Sequence, residues 1–319
     1  MKRAIIVGCN GQDGRILFAQ LESLGYSLIG IAREGVRLAN ATGPERVDIA
    51  DAAQVQTLLK HFGPDQIYYL AAFHHSSEDA IALDTPALFQ ASQQVHVTGL
   101  VMFLQAMAKV APRARLFYAA SSLVFGDPPN SPQDEQTPLN PRCIYGITKT
   151  AGIHACRFYR NTQNLFASVG IFYNHESTYR RPVFVSQKIA HAAAAIALGQ
   201  DQKLVLGDLG ARVDWGWAED FLLASRQILD LPQADDFVVA TGEAHSVQEF
   251  AALAFAEVGL DWAKYVQEEP NVLARRRGGL VGDSSRLNAR TGWQPKVAFS
   301  EMVARMVHAA VEQMQLKAK

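Results

Sequence analysis

The chain has 319 residues, with 30 Lys and Arg against 31 Asp and Glu, a formal net charge of -1, 49% hydrophobic and 19% charged residues. That length suits one large domain or two that share a core, and the composition argues against a disordered chain, a collagen-like repeat and a coiled coil. Balanced charge argues against an electrostatic nucleic-acid binder, and the one basic run, Arg275-Arg276-Arg277, reads as a solvated loop.

Short apolar runs alternate with longer amphipathic segments through the first half of the chain, the pattern of βαβ units and a parallel sheet. The first strand, Ala4–Val7, runs into Gly8-Cys9-Asn10-Gly11-Gln12-Asp13-Gly14, which opens a helix predicted around Ile16–Leu24. Glycine at such a strand–turn–helix junction lets backbone approach a pyrophosphate, and the helix N-terminus supplies N–H groups and a positive dipole end. Gly8, Gly11, Gln12, Asp13 and Gly14 are therefore candidate dinucleotide ligands. The second strand, Ser27–Ile31, ends in Ala32-Arg33-Glu34; Arg33 favours a 2′-phosphate and hence NADP, with NAD the alternative because Glu34 beside it repels that phosphate. A short strand Arg46–Asp48 is predicted next, placing Asp48 and Ile49 against the adenine.

A helix over Ala52–His61, a strand over Gln66–Leu70, a helix over Leu100–Val110 and a strand over Arg115–Ala119 follow. Ser121 and Ser122, just past that strand, are candidates to bond a substrate hydroxyl. In the helix Tyr145–Tyr159, Tyr145 and Lys149 project from one face, and an ammonium beside a phenol favours its anion, as a general base requires. After the strand Leu165–Phe172 the alternation loosens. A polar segment Asn174–Arg181 leads to a helix carrying Ala192 to Ala195, then to strands at Lys203–Leu206 and Phe237–Ala240. Ser246 with Glu249 makes a capping box for the next helix, and a last helix runs from Ser300 to about Leu316. The fold predicted is α/β: a doubly wound parallel sheet of Rossmann type, over residues 1–173 with about 212–242. A smaller α/β substrate domain from the C-terminal half takes about 174–211 and 243–319.

Cys9, Cys143 and Cys156 are odd in number and lack metal-ligand spacing, so a disulfide framework and a metal site are not expected, and a reducing compartment fits. The run MKRAIIVGCNGQDG leaves no room for a signal peptide, and the longest apolar stretch, Ile189 to Leu198, falls short of the roughly 20 residues of a membrane span. A cytoplasmic protein with no membrane partner is the expectation. Trp215 and Trp217 read as packing between domains.

The set Gly8/Gly11/Gly14, Leu70-Ala71-Ala72, Ser121-Ser122 and Tyr145/Lys149 resembles the extended short-chain dehydrogenase/reductases. GQDG at Gly11–Gly14, IYYLAAFHH at Ile67–His75, PRCIYGITK at Pro141–Lys149, NHES at Asn174–Ser177 and LGDLGARVDWGWAED at Leu206–Asp220 resemble the GDP-mannose 4,6-dehydratase branch in particular. The resemblance implies an enzyme that oxidises a nucleotide-linked sugar at C4, eliminates the 6-hydroxyl and returns the hydride to C6, with a held NADP. It casts Tyr145 as base, Lys149 as its tuner and nicotinamide-ribose ligand, Ser121 as the group orienting O4, and Leu70, Ala71 and Ala72 as cofactor wall. His74, Asn174, Val185, Lys188 and Arg212 fall on the substrate side. The partner implied is a GDP-linked sugar.

The chain departs from that pattern at Leu123, where the dehydratases carry the glutamate that removes the C5 proton. A 4-keto-6-deoxy-sugar reductase or an epimerase of the same family is the alternative this opens, and a non-catalytic dinucleotide-binding regulator is the alternative of another class. Glu176, Glu135 and Asp127 are the acids near in sequence. Val213 stands where an arginine is expected, with Arg212 one position earlier. His74 is read as a wall residue of the site or a substitute acid/base, and Cys143 as an inert thiol. The 15 residues from Glu34 to Asp48 are fewer than the arginine-bearing insertion that helps the dehydratases build a tetramer, which makes a homodimer the expectation.

Overall fold

The computed structural model of the chain describes residues 1–73, 84–200, 203–269 and 279–317; His74 and the Arg275–Arg277 run lie outside them. Five early strands form where the apolar runs predict them, β1 (Arg3–Val7), β2 (Ser27–Ala32), β4 (Gln66–Tyr69), β5 (Arg115–Ser121) and β6 (Phe166–Phe172), and one more, β3 (Gly35–Ala39), forms where none is predicted. Between them run α1 (Gln12–Ser23), α2 (Ala52–Phe62), α3 (Thr85–Gln93), a π-helical turn at Gln94–Thr98, α4 (Gly99–Val110) and α5 (Ile144–Gln163). Then come β7 (Asn174–Glu176), α6 (Val185–Ala197), β8 (Leu204–Leu206), β9 (Arg212–Trp217), α7 (Ala218–Asp230), β10 (Asp236–Val239), β11 (Ala244–Ser246), α8 (Val247–Ala256), β12 (Val266–Glu268), α9 (Ser285–Thr291) and α10 (Phe299–Lys317).

Among the described residues the main sheet has seven strands in the order β10-β6-β5-β4-β1-β2-β3, parallel except for β3. Its central strands are buried along their length, as a sheet covered by helices on both faces requires. α1 packs with α7, while α2, α4 and α5 pack in sequence with one another. The strand order reverses at β1, between β2 and β4, so the crevice for a ligand opens at the carboxyl ends of these strands.

The predicted strand at Arg46–Asp48 does not form. The edge position next to β2 is taken instead by β3, which turns back antiparallel through Arg33 and Glu34, with Ala32 paired to Gly35. A two-residue turn followed by Gly35 at φ +148° allows this hairpin, which no longer-range pattern announces. Residues 46–48 form no regular element, and Asp48 Oδ1 accepts from the Ala50 N–H at 2.9 Å at the start of the turn over Ile49 and Ala50. Asp51 caps α2 by accepting from the N–H groups of Ala53 and Gln54.

A second hydrophobic cluster gathers Ile189, Trp215, Trp217, Phe250, Val303 and Met306 from α6, β9, α8 and α10, beside the three-stranded sheet β11-β9-β7 and the pair β12-β8. Trp215 and Trp217 pack inside this cluster, against Phe250, Phe299 and Arg305, and not between domains as the sequence reading has them. The capping box at Ser246 and Glu249 is complete. Asp214 on β9 stitches this sheet to the main one: its buried carboxylate accepts from Thr241 N–H (2.9 Å) and Oγ1 (2.6 Å), Gly242 N–H (3.1 Å) and Gly282 N–H (3.1 Å). At the outer edge of β10, the Val238 N–H donates to Glu135 Oε1 at 2.7 Å and the Ala240 N–H to Ser284 Oγ at 2.9 Å; on the far edge the Val36 N–H of β3 donates to Glu45 O at 2.9 Å. No helix among the described residues is long and apolar enough to cross a membrane.

Replacing Asp214 by Ala strands several buried donors at once, so Asp214→Ala is expected to lower the unfolding free energy by about 3 kcal/mol, read by urea denaturation with an unchanged m-value.

Candidate active site

The glycine loop sits on the carboxyl end of β1, pinned by Gly8 and Cys9 N–H bonds to Ile31 O at 2.8 and 3.1 Å, with Leu70 N–H on Val7 O at 2.9 Å. At Gly8 (φ +94°) a Cβ would lie 2.7 Å from Ala71 N, and at Gly14 it would lie 2.2 Å from Gly8 O. No side chain fits at either place. The loop, the β4 end at Leu70–Ala72 and the start of α1 therefore make a cradle of bare backbone, and the α1 cap at Gly11 brings no side-chain oxygen to compete for its N–H groups. This arrangement fits the pyrophosphate of a dinucleotide. Arg33 and Glu34 form the turn at the end of β2, both exposed, and Glu34 Oε2 accepts from Asn10 Nδ2 of the loop at 2.9 Å. Ile49 is half-buried near the start of α4, and Asp48 is exposed.

Helix α5 starts at Cys143, whose Sγ accepts from the Gly146 N–H at 3.4 Å, so this thiol is a helix cap. Tyr145 and Lys149 lie one turn apart, with Nζ 5.6 Å from the Tyr145 ring centroid and 5.0 Å from that of Tyr118. Nζ donates to Ala119 O at 2.7 Å, two residues before Ser121. Gly146 abuts the Leu123 carbonyl, where a Cβ would come within 2.5 Å, so the turn after β5 lies against the first turn of α5. Ser121 Oγ accepts from the Leu123 N–H at 3.3 Å, Ser122 is buried, and Leu123 itself is half-buried. Burial brings Lys149 from its ordinary 10.5 down to about 7, against the opposing pull of Asp13. Burial, and then the charge of Asp13, hold the Tyr145 phenol above its ordinary range. The sequence reading has the ammonium drawing the phenol down. In the structure Nζ is spent on a carbonyl and lies over the ring, and desolvation governs both groups.

His96, which no sequence pattern singled out, completes the wall. It is fully buried in the π-helical turn, its ring edge-on to Tyr145 at 5.0 Å. Its Nε2 accepts from the Phe73 N–H at 2.9 Å, which leaves the proton on Nδ1, 2.8 Å from Thr148 Oγ1. The only hint in the sequence is a lone histidine among the apolar positions leading into α4.

The GQDG and NHES strings, far apart in sequence, meet. Gln12 Nε2 donates to His175 O at 3.0 Å, Ser177 Oγ donates to Gln12 Oε1 at 2.9 Å, and His175 Nε2 lies 3.0 and 3.1 Å from the two carboxylate oxygens of Asp13. Asn174 is exposed on β7 beside them. Val185 opens α6, with Lys188 in its first turn. Arg212 is exposed, its guanidinium bonded to Ala244 O and 3.9 Å from Glu249. Of the acids near in sequence, Glu176 is buried against Ser186 Oγ (2.8 Å) and Arg180 (3.0 Å), Glu135 holds the Val238 N–H, and Asp127 lies 3.6 Å from Arg142 on the surface. A cavity of about 970 Å³, bounded by Arg3, Ile29, Val47, Leu58 and Phe62, lies away from this constellation and holds none of its groups.

A family model described as GDP-mannose 4,6 dehydratase matches residues 5–306. A GDP-mannose 4,6 dehydratase of Arabidopsis thaliana is 34% identical over 98% of this chain and 90% of its own length, and that of Homo sapiens is 32% identical over 98% and 92%. Among solved structures, RMD from Pseudomonas aeruginosa complexed with NADPH superposes with a TM-score of 0.82 at 20% identity, covering 98% of this chain and 100% of that one. A dTDP-glucose 4,6-dehydratase of Bacillus anthracis in complex with NAD gives 0.81 at 16%, covering 99% and 98%. These two share the Rossmann-like fold seen here. With a family model over most of its length and relatives above 30% identity end to end, the chain belongs to the GDP-mannose 4,6-dehydratase family.

Proposed function

We propose that the chain converts GDP-mannose to its 4-keto-6-deoxy derivative, using a bound nicotinamide dinucleotide. The observation that carries this is Tyr145 and Lys149 on one face of α5, against the Ser121 turn and beside the glycine cradle. The chemistry such a cofactor supplies when bound is reversible hydride storage. Tyr145, once its own proton has passed to solvent, takes the proton from the sugar O4 as a phenolate, with Ser121 bonding the same hydroxyl. Lys149, brought down to about 7 by burial, would turn from Ala119 O to hold the nicotinamide ribose of a bound cofactor and to stabilise the phenolate when it forms. Asn174, Val185, Lys188 and Arg212 are assigned to the sugar nucleotide, with His74 at its edge. The cluster built on α6, α8 and α10 serves as the substrate domain. A homodimer in the cytoplasm is the setting we infer.

Leu123 is the observation that favours a second reading, a reductase or epimerase, because a hydrocarbon cannot accept the C5 proton. Incubation with GDP-mannose separates the two. A 4-keto-6-deoxy product is expected, whereas absence of product together with reduction of a supplied 4-keto sugar overturns the dehydratase reading. Tyr145→Phe is expected to lower turnover by about 10²- to 10⁴-fold under either, with cofactor affinity retained.

Arg33 supports NADP, and the Glu34 carboxylate, anchored on Asn10 of the glycine loop, supports NAD. Hydrogen bonds from the backbone and from Asn10 keep that carboxyl below its ordinary value, so it is anionic at neutral pH and opposes a 2′-phosphate. Glu34→Gln is expected to raise the ratio of NADPH to NADH affinity by about tenfold, measured by fluorescence titration of both.

A further inference from the structure

His175 is not among the groups assigned to the reaction, yet its hydrogen bonds define its charge. Nδ1 lies 2.7 Å from Tyr173 O, and a carbonyl only accepts, so Nδ1 carries a proton. Nε2 faces both oxygens of Asp13 at 3.0 and 3.1 Å, and an ionised carboxylate only accepts, so Nε2 carries one too. The ring is stacked on Phe221 at 4.9 Å and meets Phe172 edge-on at 5.2 Å, which fixes its plane. We propose that His175 is a positioning residue: held as an imidazolium, it neutralises Asp13 beside Tyr145 and Lys149 and so sets the ionisation of the catalytic pair. The proposal rests on the reading of Tyr145 as general base.

The charged groups around the dyad are few. Asp13 comes from α1, Tyr145 and Lys149 from α5, and Arg180 from the segment after β7. The β6 and α7 faces present Phe172 and Phe221. Asp220 of α7 is turned to the N–H groups of Lys296 and Val297, and Glu176 to Ser186 and Arg180. Burial alone would raise Asp13, but the charge and hydrogen bond of His175 outweigh it and the carboxyl lies below its ordinary value. Burial alone would lower His175, but Asp13 outweighs it and the imidazole lies above its ordinary 6.5. A group raised on folding loses its stabilisation as pH rises through its folded value, and a lowered carboxyl loses its own as pH falls through its folded value, so the dyad opens on the alkaline side as His175 deprotonates and on the acid side as Asp13 protonates. Once His175 is neutral or absent, Asp13 loses its hydrogen-bonded counter-charge and keeps only Gln12 and the charges of Arg180 and Lys149, so it disfavours a phenolate at Tyr145 more strongly.

Two measurements on the full-length chain test this. The first follows the His175 Cε1–H resonance by NMR, assigned as the one missing from His175→Gln. Its midpoint is expected above 6.5 in the parent chain and below it in Asp13→Asn; a parent midpoint at or under 6.5 overturns the proposal whether or not Tyr145 is the base. The second is the acid limb of kcat/KM against pH, expected to move up by about one pH unit in His175→Gln and to move back in Asp13→Asn/His175→Gln. Lost activity in both variants with an unmoved limb means a purely structural contact and overturns the proposal. If Tyr145→Phe leaves turnover intact while the NMR midpoints behave as stated, the failure belongs to the base assignment.

Discussion

Between the first turn of α1 and strand β7 lie 162 positions of sequence, and the link that closes this loop is made by a handful of side chains. Gln12 and Asp13 occupy the loop corner where a dinucleotide fold needs only backbone. They use that freedom to receive His175 and Ser177, the carbonyl of one and the hydroxyl of the other. Closing a long loop costs entropy that grows slowly with its length, so a few good bonds at one point suffice to hold it. Because β7 continues into the sheet β11-β9-β7, the same corner sets where the second hydrophobic cluster stands relative to the cofactor cradle. Asp214 is the second fastening, on the opposite side of β9.

The interior of the site explains its resting chemistry. Lys149 is among the largest fully buried side chains and Tyr145 is half-buried, so desolvation disfavours the charged form of each. The pair is neutral-leaning while Nζ rests on Ala119 O. His96 Nδ1 and Thr148 Oγ1 meet at 2.8 Å and tie the turn of α5 that carries Tyr145 and Lys149 to the π-helical turn.

Much of this could be read directly from the sequence. The parallel strands declare themselves as unbroken apolar runs, the capping box at Ser246 fixes a helix start, and the glycines and the Tyr145/Lys149 spacing mark two groups that the fold brings to the same end of the sheet. What stayed hidden depended on contacts across the fold. The β3 hairpin arises from a local turn at Arg33-Glu34 that overrides the short strand expected at Arg46–Asp48. His96 carries no periodic signal, since its role comes from Phe73 and Thr148, each brought to it by the packing of β4 and α5. The strings GQDG and NHES were legible separately, but that they are two halves of one contact follows only from the arrangement of α1 and β7.

Both margins of the main sheet have some of their outward-facing N–H groups taken. On one side Glu135 and Ser284 occupy the Val238 and Ala240 N–H groups of β10, and on the other the returning chain at Glu45 takes the Val36 N–H of β3. An open strand edge is a template on which another chain can add, and side-chain oxygens or a covering loop remove it. The very short β3, folded back with Arg37 lying over Phe18 at 3.9 Å, adds a charge at the same margin. Edge-to-edge addition of another strand is thereby opposed at both margins.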